Sequence, residues 1–337
     1  MRRYAESKAG GRPARTYLPL AEAGRPELGL ALVGRAGGRI DRSLWAAIFH
    51  IGEAIRRSWA RSSTREVLVC FLIGEEGMTL AELAAARAES DQHGDLVLLS
   101  NVADACVLSI GKIYAWWHEA AALVRGAHGI THVAKTDDDV FLHLDNLRAD
   151  LRRLHCLREP GRELYYGGMA HAGYNVRTFV KCGFSWSLGR NLRRSRFYRY
   201  GCTTAGAHPP FPFALGPLQV LSSGLVLHVA DSPAIGEFVR HATATIDLET
   251  WGRGEDVALG FWVAQAARWR NITYVSINAR SKNLGCFKRA GDYRPPSPNQ
   301  IVLHYLKTAG GQEYARRVMR EGAPHDPFEC AVLTGMS

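Results

Sequence analysis

Thr131-His-Val-Ala-Lys-Thr-Asp-Asp-Asp-Val-Phe141 is an apolar strand-like run that ends in three consecutive carboxylates. In extended backbone successive side chains alternate, so Asp137 and Asp139 share one side and Asp138 faces the other. Adjacent carboxylates repel, and each raises the pKa of its neighbours; a divalent cation removes that penalty. Mg²⁺ and Mn²⁺ are hard ions that prefer oxygen and leave coordination positions for substrate phosphates. The competing reading is a solvated acidic turn. The apolar flanks Val133-Ala134 and Val140-Phe141 favour the metal, because a solvated turn does not call for core residues on both sides.

Working outward, strand and helix patterns alternate through the first half. Leu28–Val33, Glu66–Ile73 and Asp95–Leu99 read as short, nearly continuous apolar strands, the pattern of parallel strands buried on both faces. Between them, Asp41 caps a helix carrying Leu44, Ile48, Ile51 and Ile55, and Thr79–Ser90 is helical. Lys112–Arg125 is a helix with Ile113, Trp116 and Trp117. Thr131–Thr136 is the fourth strand, and Leu144–Leu157 is a helix with Leu147, Leu151 and Leu154 on one face. This alternation predicts an α/β fold with a mostly parallel central sheet and helices on both faces, ligands binding beyond the carboxyl ends of the strands. The second half is less regular. Glu163–Gly168 and Leu218–Ser222 read as strands joined by a long Arg/Pro/Gly-rich connection; Pro233–Ile246, Glu255–Trp269 and Gly311–Gly322 read as helices, Thr273–Ile277 as a strand, and Arg289–Asn299 as a loop. The expected organisation is a flexible basic arm over 1–27, one unit over 28–322 divided near 160, and a tail over 323–337.

Three weaker features accompany the triplet. Glu255 and Asp256 open a helix after Gly252 and Gly254, where the helix dipole alone would favour them. His304 follows the apolar run Gln300-Ile-Val-Leu, and a lone histidine is more often a satisfied core residue than a ligand. Arg56 and Arg57 end the first helix, where two guanidinium groups suit a diphosphate or simply complement the dipole.

Composition narrows the function classes. With 47% hydrophobic and 22% charged residues the chain is an ordinary packed globular protein, which excludes wholesale disorder. The net charge is +10, and residues 1–65 hold 13 Lys/Arg against 5 Asp/Glu, so most of the excess sits at the front. The arginine clusters lack interleaved aromatics, which argues against nucleic acid as a partner. No apolar run approaches the ~18 residues a membrane span needs, and no hydrophobic segment follows the basic start as a secretory signal requires. Seven cysteines form no CxxC pair, so a zinc ribbon or thioredoxin motif is excluded; Cys70, in an apolar strand, reads as core. GxGxxG and GxxxxGK[ST] are missing from the first half, which removes a dinucleotide fingerprint and a P-loop.

Taken in order, the motifs resemble the inverting β-1,3-glycosyltransferase family of galactosyltransferase type, which includes β-1,3-galactosyltransferases, β-1,3-N-acetylglucosaminyltransferases and the related fringe enzymes. Ala54-Ile55-Arg56-x-Ser58-Trp59, Phe71-Leu-Ile-Gly74, the spacing of Asp104 to Lys112, Lys135-Thr-Asp-Asp-Asp-Val-Phe141, Pro212 through Gly216 to Ser222, and Glu255-Asp256-Val257 to Gly260 carry the likeness, over about residues 28–308. Departures are Gly52 for Arg, Ala105 and Cys106 for Ser-Tyr, and Gln219 for Tyr.

The resemblance implies a nucleotide-sugar (GT-A) fold. It also implies a UDP-sugar donor with galactose first among the sugars, Mn²⁺ or Mg²⁺, a glycan or glycoprotein acceptor, and the Golgi lumen or another secretory compartment. It makes Asp139 the main metal ligand with Asp137 and His304, and puts Asp137 and Asp138 near metal and ribose. Arg56, Lys112 and Glu255 fall on the donor side, and Asp256 becomes the base that takes the acceptor's proton. The departures keep a second reading open, a member without catalysis that binds glycan or protein. A hydrolase or phosphotransferase built on the same triplet would need a nucleophile beside it, and the segment offers only Thr136.

Overall fold

In a computed structural model, the chain is described over residues 28–33, 52–62, 67–104, 109–126, 129–157, 161–175, 184–185, 207–244, 254–267, 270–283 and 296–321. The expected helix after Asp41 therefore lies mostly outside the described residues, as do Ala105, Cys106, the arm, the tail and most of the 176–206 connection.

Eleven strands are described: β1 (Leu28–Val33), β2 (Val67–Glu76), β3 (Leu96–Ala103), β4 (His132–Asp137), β5 (Val140–Leu142), β6 (Glu163–Asn175), β7 (Phe184–Ser185), β8 (Ala207–Ser222), β9 (Ile272–Ser276), β10 (Ser281–Asn283) and β11 (Val302–His304). The main sheet runs β3-β2-β1-β4-β8-β6-β7, with β9 also paired to β6, on the edge away from β8. Neighbours among β3, β2, β1 and β4 are parallel, β8 is antiparallel to both β4 and β6, and β9 is parallel to β6. The mostly parallel α/β sheet expected from the sequence is thus present.

Alternation along each strand feeds two cores, one per face. Cys70, Leu72, Val133 and Tyr165 point into a core built with helices Ser109–Gly126, Ser223–Asp231, Pro233–Ala244 and Glu255–Ala266. Val67, Val69, Ala134, Leu164 and Tyr166 point to the opposite core, with Ile55, Trp59 and helices Leu144–Leu157 and Ala309–Glu321. Burial pushes the Cys70 thiol up to about 12, so it behaves as a small apolar side chain. No helix among the described residues is long and apolar enough to cross a membrane.

Three readings change. Part of the Arg/Pro/Gly-rich connection is strand: β6 and β8 extend as a long antiparallel ribbon to the pairs Ala172↔Phe211 and Asn175↔Ala207. Pro209, Pro210 and Pro212 fit there because β4 pairs with Gln219–Ser222, which leaves the earlier part of β8 bonded on one side among the described residues. Ser223–Asp231 is an additional helix that starts where β8 ends. A second, three-stranded sheet, β10-β11-β5, lies outside the main one.

Candidate active site

β4 delivers the acidic turn beyond the end of β1, where Val33 pairs with Asp137. Single oxygens of Asp137 and Asp139 and one nitrogen of His304 all lie within 4.8 Å of one another. Asp138 is not in that group: β4 ends at Asp137, and the turn Asp138–Asp139, rather than strand alternation, brings Asp139 back beside Asp137. His304 arrives on β11, whose antiparallel register with β5 sets it opposite Val140, and its Nε2 is 3.1 Å from Asp139 Oδ1.

The turn is held from behind. Asp139 O accepts from Leu306 N at 2.8 Å, and Val140 O accepts from Trp59 Nε1 at 3.0 Å and Gln312 Nε2 at 3.2 Å. The Trp of the Ala54–Trp59 motif thus braces the acidic turn.

Asp256 stands at the start of helix Glu255–Ala266, which rests on β8. A Cβ at Gly260, one turn on, would lie 2.3 Å from Phe213 Cβ, so only glycine permits that approach. The Asp256 carboxylate is buried and both its oxygens have partners: Gly216 N donates to Oδ2 at 2.9 Å, Gln219 Nε2 to Oδ1 at 3.3 Å, and Lys135 Nζ lies 3.5 Å from Oδ1. Lys135 also donates to Asp137 Oδ1 at 2.7 Å and to Gly216 O at 3.3 Å. Gly216 is the partition between the two acids: a Cβ there would lie 2.8 Å from Asp137 Oδ2 and 3.1 Å from each Asp256 oxygen.

The electrostatics follow. Burial raises the Asp256 carboxyl, Glu255 and Asp137 push the same way, and Lys135 and the Gly216 amide offset them only partly, leaving it pushed up to about 7. Burial works against the Lys135 ammonium, but Asp137, Asp256 and Glu255 outweigh it and hold it charged. One buried ammonium therefore faces three buried carboxylates, with Asp139 beside them. That excess of negative charge, and a donor set of two carboxylates and an imidazole, fit a divalent cation of the Mn²⁺ kind.

The remaining expected residues divide. Ser109 Oγ donates to Glu255 Oε2 at 3.0 Å, and one turn further on Lys112 donates to Asp104 Oδ1 at 2.6 Å, with Asp104 Oδ2 accepting from Gly74 N at 3.4 Å. This places Glu255 and Lys112 along one helix start beside the ends of β2 and β3. Arg56 is spent elsewhere. Its guanidinium forms a bidentate pair with Asp95 at 2.7 and 2.8 Å, meets Glu89 at 2.7 Å, and lies over the Phe71 ring. A fork used in this way has no edge left for a diphosphate.

Lys135, Gly216, Gln219 and Trp59 received no role from the sequence. Lys135 carried a usable signal: it precedes Asp137 by two positions on one strand and so shares its face.

The galactosyltransferase family model matches residues 52–246, more than half of the chain, and stops short of Asp256 and His304. A mouse protein named beta-1,3-galactosyltransferase 6 is 31% identical over 220 residues, covering 63% of this chain and 55% of its own length. The chain thus spans about half the length of that curated relative. Among solved structures, mouse xyloside xylosyltransferase 1 in its apo form aligns over 83% of this chain and 97% of its own, at 10% identity and TM-score 0.38. Galactosyltransferase LgtC, in complex with donor and acceptor sugar analogues, aligns over 82% and 86%, at 12% identity and TM-score 0.35.

Proposed function

Since the chain belongs to the galactosyltransferase family, we propose that it is a metal-dependent inverting hexosyltransferase of GT-A type. It moves galactose from UDP-galactose to a hydroxyl of a glycan or glycoprotein and forms a β-1,3 linkage. The observation that carries this reading is the shared partition. The oxygens of Asp137, on the cation side, and of Asp256 all crowd the position that a Cβ on Gly216 would take. Donor diphosphate and acceptor hydroxyl would meet across Gly216.

Asp137, Asp139 and His304 would hold the cation, which when bound supplies Lewis-acid stabilisation of charge on the departing diphosphate. Asp256 takes the acceptor's proton. Its raised pKa suits a base that must be partly ionised near neutrality yet still hold a proton well. The acceptor oxygen then forms its bond to the sugar's anomeric carbon as the bond to the diphosphate oxygen breaks, UDP leaves with that electron pair, and configuration inverts. Gly216 N–H and Gln219 fix the carboxylate plane, while Lys135 screens Asp256 from Asp137. Residues 28–160 form the donor side, with Lys112 and Asp138 toward the nucleotide and Glu255 reaching over from the acceptor side of 161–322. The family fits a secretory compartment, the Golgi lumen first.

The test is UDP release from a panel of UDP-sugars with Mn²⁺, with and without glycans that end in free 3-hydroxyls. Acceptor-stimulated release, highest with UDP-galactose and lost in EDTA, is expected. Glycan binding without UDP release from any sugar would overturn the catalytic reading in favour of a binding module.

A further inference from the structure

The small sheet β10-β11-β5 arranges three chemical layers by register alone. β11 pairs antiparallel with β5, which leaves the acidic turn directly, and parallel with β10, so that Asn283 stands opposite His304. His304 engages both ring nitrogens: Nε2 lies 3.1 Å from Asp139 Oδ1 and Nδ1 lies 3.1 Å from Asn283 Oδ1. An amide oxygen only accepts, so Nδ1 carries the hydrogen in that pair and Nε2 is the nitrogen turned to the carboxylates.

The next residue is a backbone outlier. Tyr305 has φ of 74°, a left-handed conformation that a bulky aromatic adopts only where its surroundings impose it. Its ring stacks on the His304 imidazole, with centroids 4.0 Å apart and planes 20° from parallel. The following amide, Leu306 N, donates to Asp139 O. The kink thus seats an aromatic plate on the imidazole and ties the same segment to the acidic turn.

We propose that Asn283 is a positioning residue which, with the Tyr305 ring, fixes the tautomer and ring plane of His304 so that Nε2 is presented to a divalent cation shared with Asp137 and Asp139. This rests on the cation site proposed above and extends it to residues that do not touch the ion. Without Asn283 the imidazole is free to place its hydrogen on Nε2 or to turn away. Partners of this kind change metal affinity by roughly 10–100-fold when removed.

The experiment titrates Mn²⁺ into the full chain by calorimetry, with UDP present, and reads the ¹⁴N coupling of bound Mn²⁺ by electron spin-echo spectroscopy. Asn283→Leu should weaken Mn²⁺ by roughly 10–100-fold and lose the histidine coupling at unchanged melting temperature. Asn283→Asp retains an acceptor oxygen and should recover both. Tyr305→Gly, which suits the left-handed backbone, should fold at least as well and also weaken Mn²⁺. If Asn283→Leu binds Mn²⁺ like wild type while Asp139→Ala and His304→Ala lose it, the positioning role is overturned and the cation site stands. If Asp139→Ala also binds like wild type, the site falls and the positioning role falls with it.

Discussion

Gly216→Ala isolates the partition between the two acids. Its Cβ would sit 2.8 Å from Asp137 Oδ2 and 3.1 Å from both Asp256 oxygens, against the 3.4 Å at which ordinary contact begins. Relief therefore needs shifts of 3.4 − 2.8 = 0.6 Å on one side and 3.4 − 3.1 = 0.3 Å on the other. Neither carboxylate swings freely, because Asp137 is held by Lys135 and Asp256 by the Gly216 amide itself. The carboxylates should be displaced, Asp137 by up to about 0.6 Å and Asp256 by up to about 0.3 Å. A misplacement of about 1 Å costs about 10²-fold in rate, and overpacking a filled interior costs about 1–3 kcal/mol of stability. The assay is UDP release from UDP-galactose with Mn²⁺, paired with thermal unfolding. Gly126→Ala is the control, since nothing lies within 4 Å of the added methyl. A Gly216→Ala enzyme within threefold of wild type, with an unchanged melting temperature, would refute the partition.

Further outcomes follow from the same geometry. Asp256→Asn keeps the shape of the helix start but cannot take a proton, so transfer should fall by roughly 10²-fold or more while UDP–Mn²⁺ affinity holds; Glu255→Gln should lose less. With the Asp256 carboxyl raised from 3.8 to about 7, kcat/KM should climb tenfold per pH unit below 7 and level above it. The same shift makes the native state bind a proton the unfolded chain has released, so the metal-free protein should lose stability as pH rises from about 4 to about 7, and Asp256→Asn should flatten that loss. Arg56→Met strands Asp95 and Glu89, so unfolding measurements should show a loss of roughly 3 kcal/mol, with UDP affinity unchanged. A drop in UDP affinity at intact stability would return Arg56 to the donor site.

The legible parts of the fold were those with a local signature. The pairing of Asp137 with Asp139 is legible from the triplet, although a turn after β4 and not strand alternation produces it, and the apolar stripe of Leu144–Leu157 marks that helix to the residue. The strand ends of β6 and β8 were hidden because proline argues against a strand unless one knows which edge is unpaired, and pairing is a tertiary fact. β5, β10 and β11 have three residues each, too few for any periodicity to register. The ion pairs of Arg56 are hidden in the sequence for a related reason. A helix-end arginine looks available until the strand that brings Asp95 beside it is in view. The partners of Asp256, Gly216 and Gln219, lie 40 and 37 positions away, beyond the reach of any motif.

The central place of β11 in its small sheet sets an order of events. Asp137 and Asp139 leave the ribosome about 165 residues before His304, and until Val302–His304 pairs with Val140–Leu142 the proposed cation site lacks its imidazole. A chain that is still growing, or one cut between these segments, would hold the cation poorly. Capture of the ion would then act as a late checkpoint, adding stability only to chains that have closed the last strand.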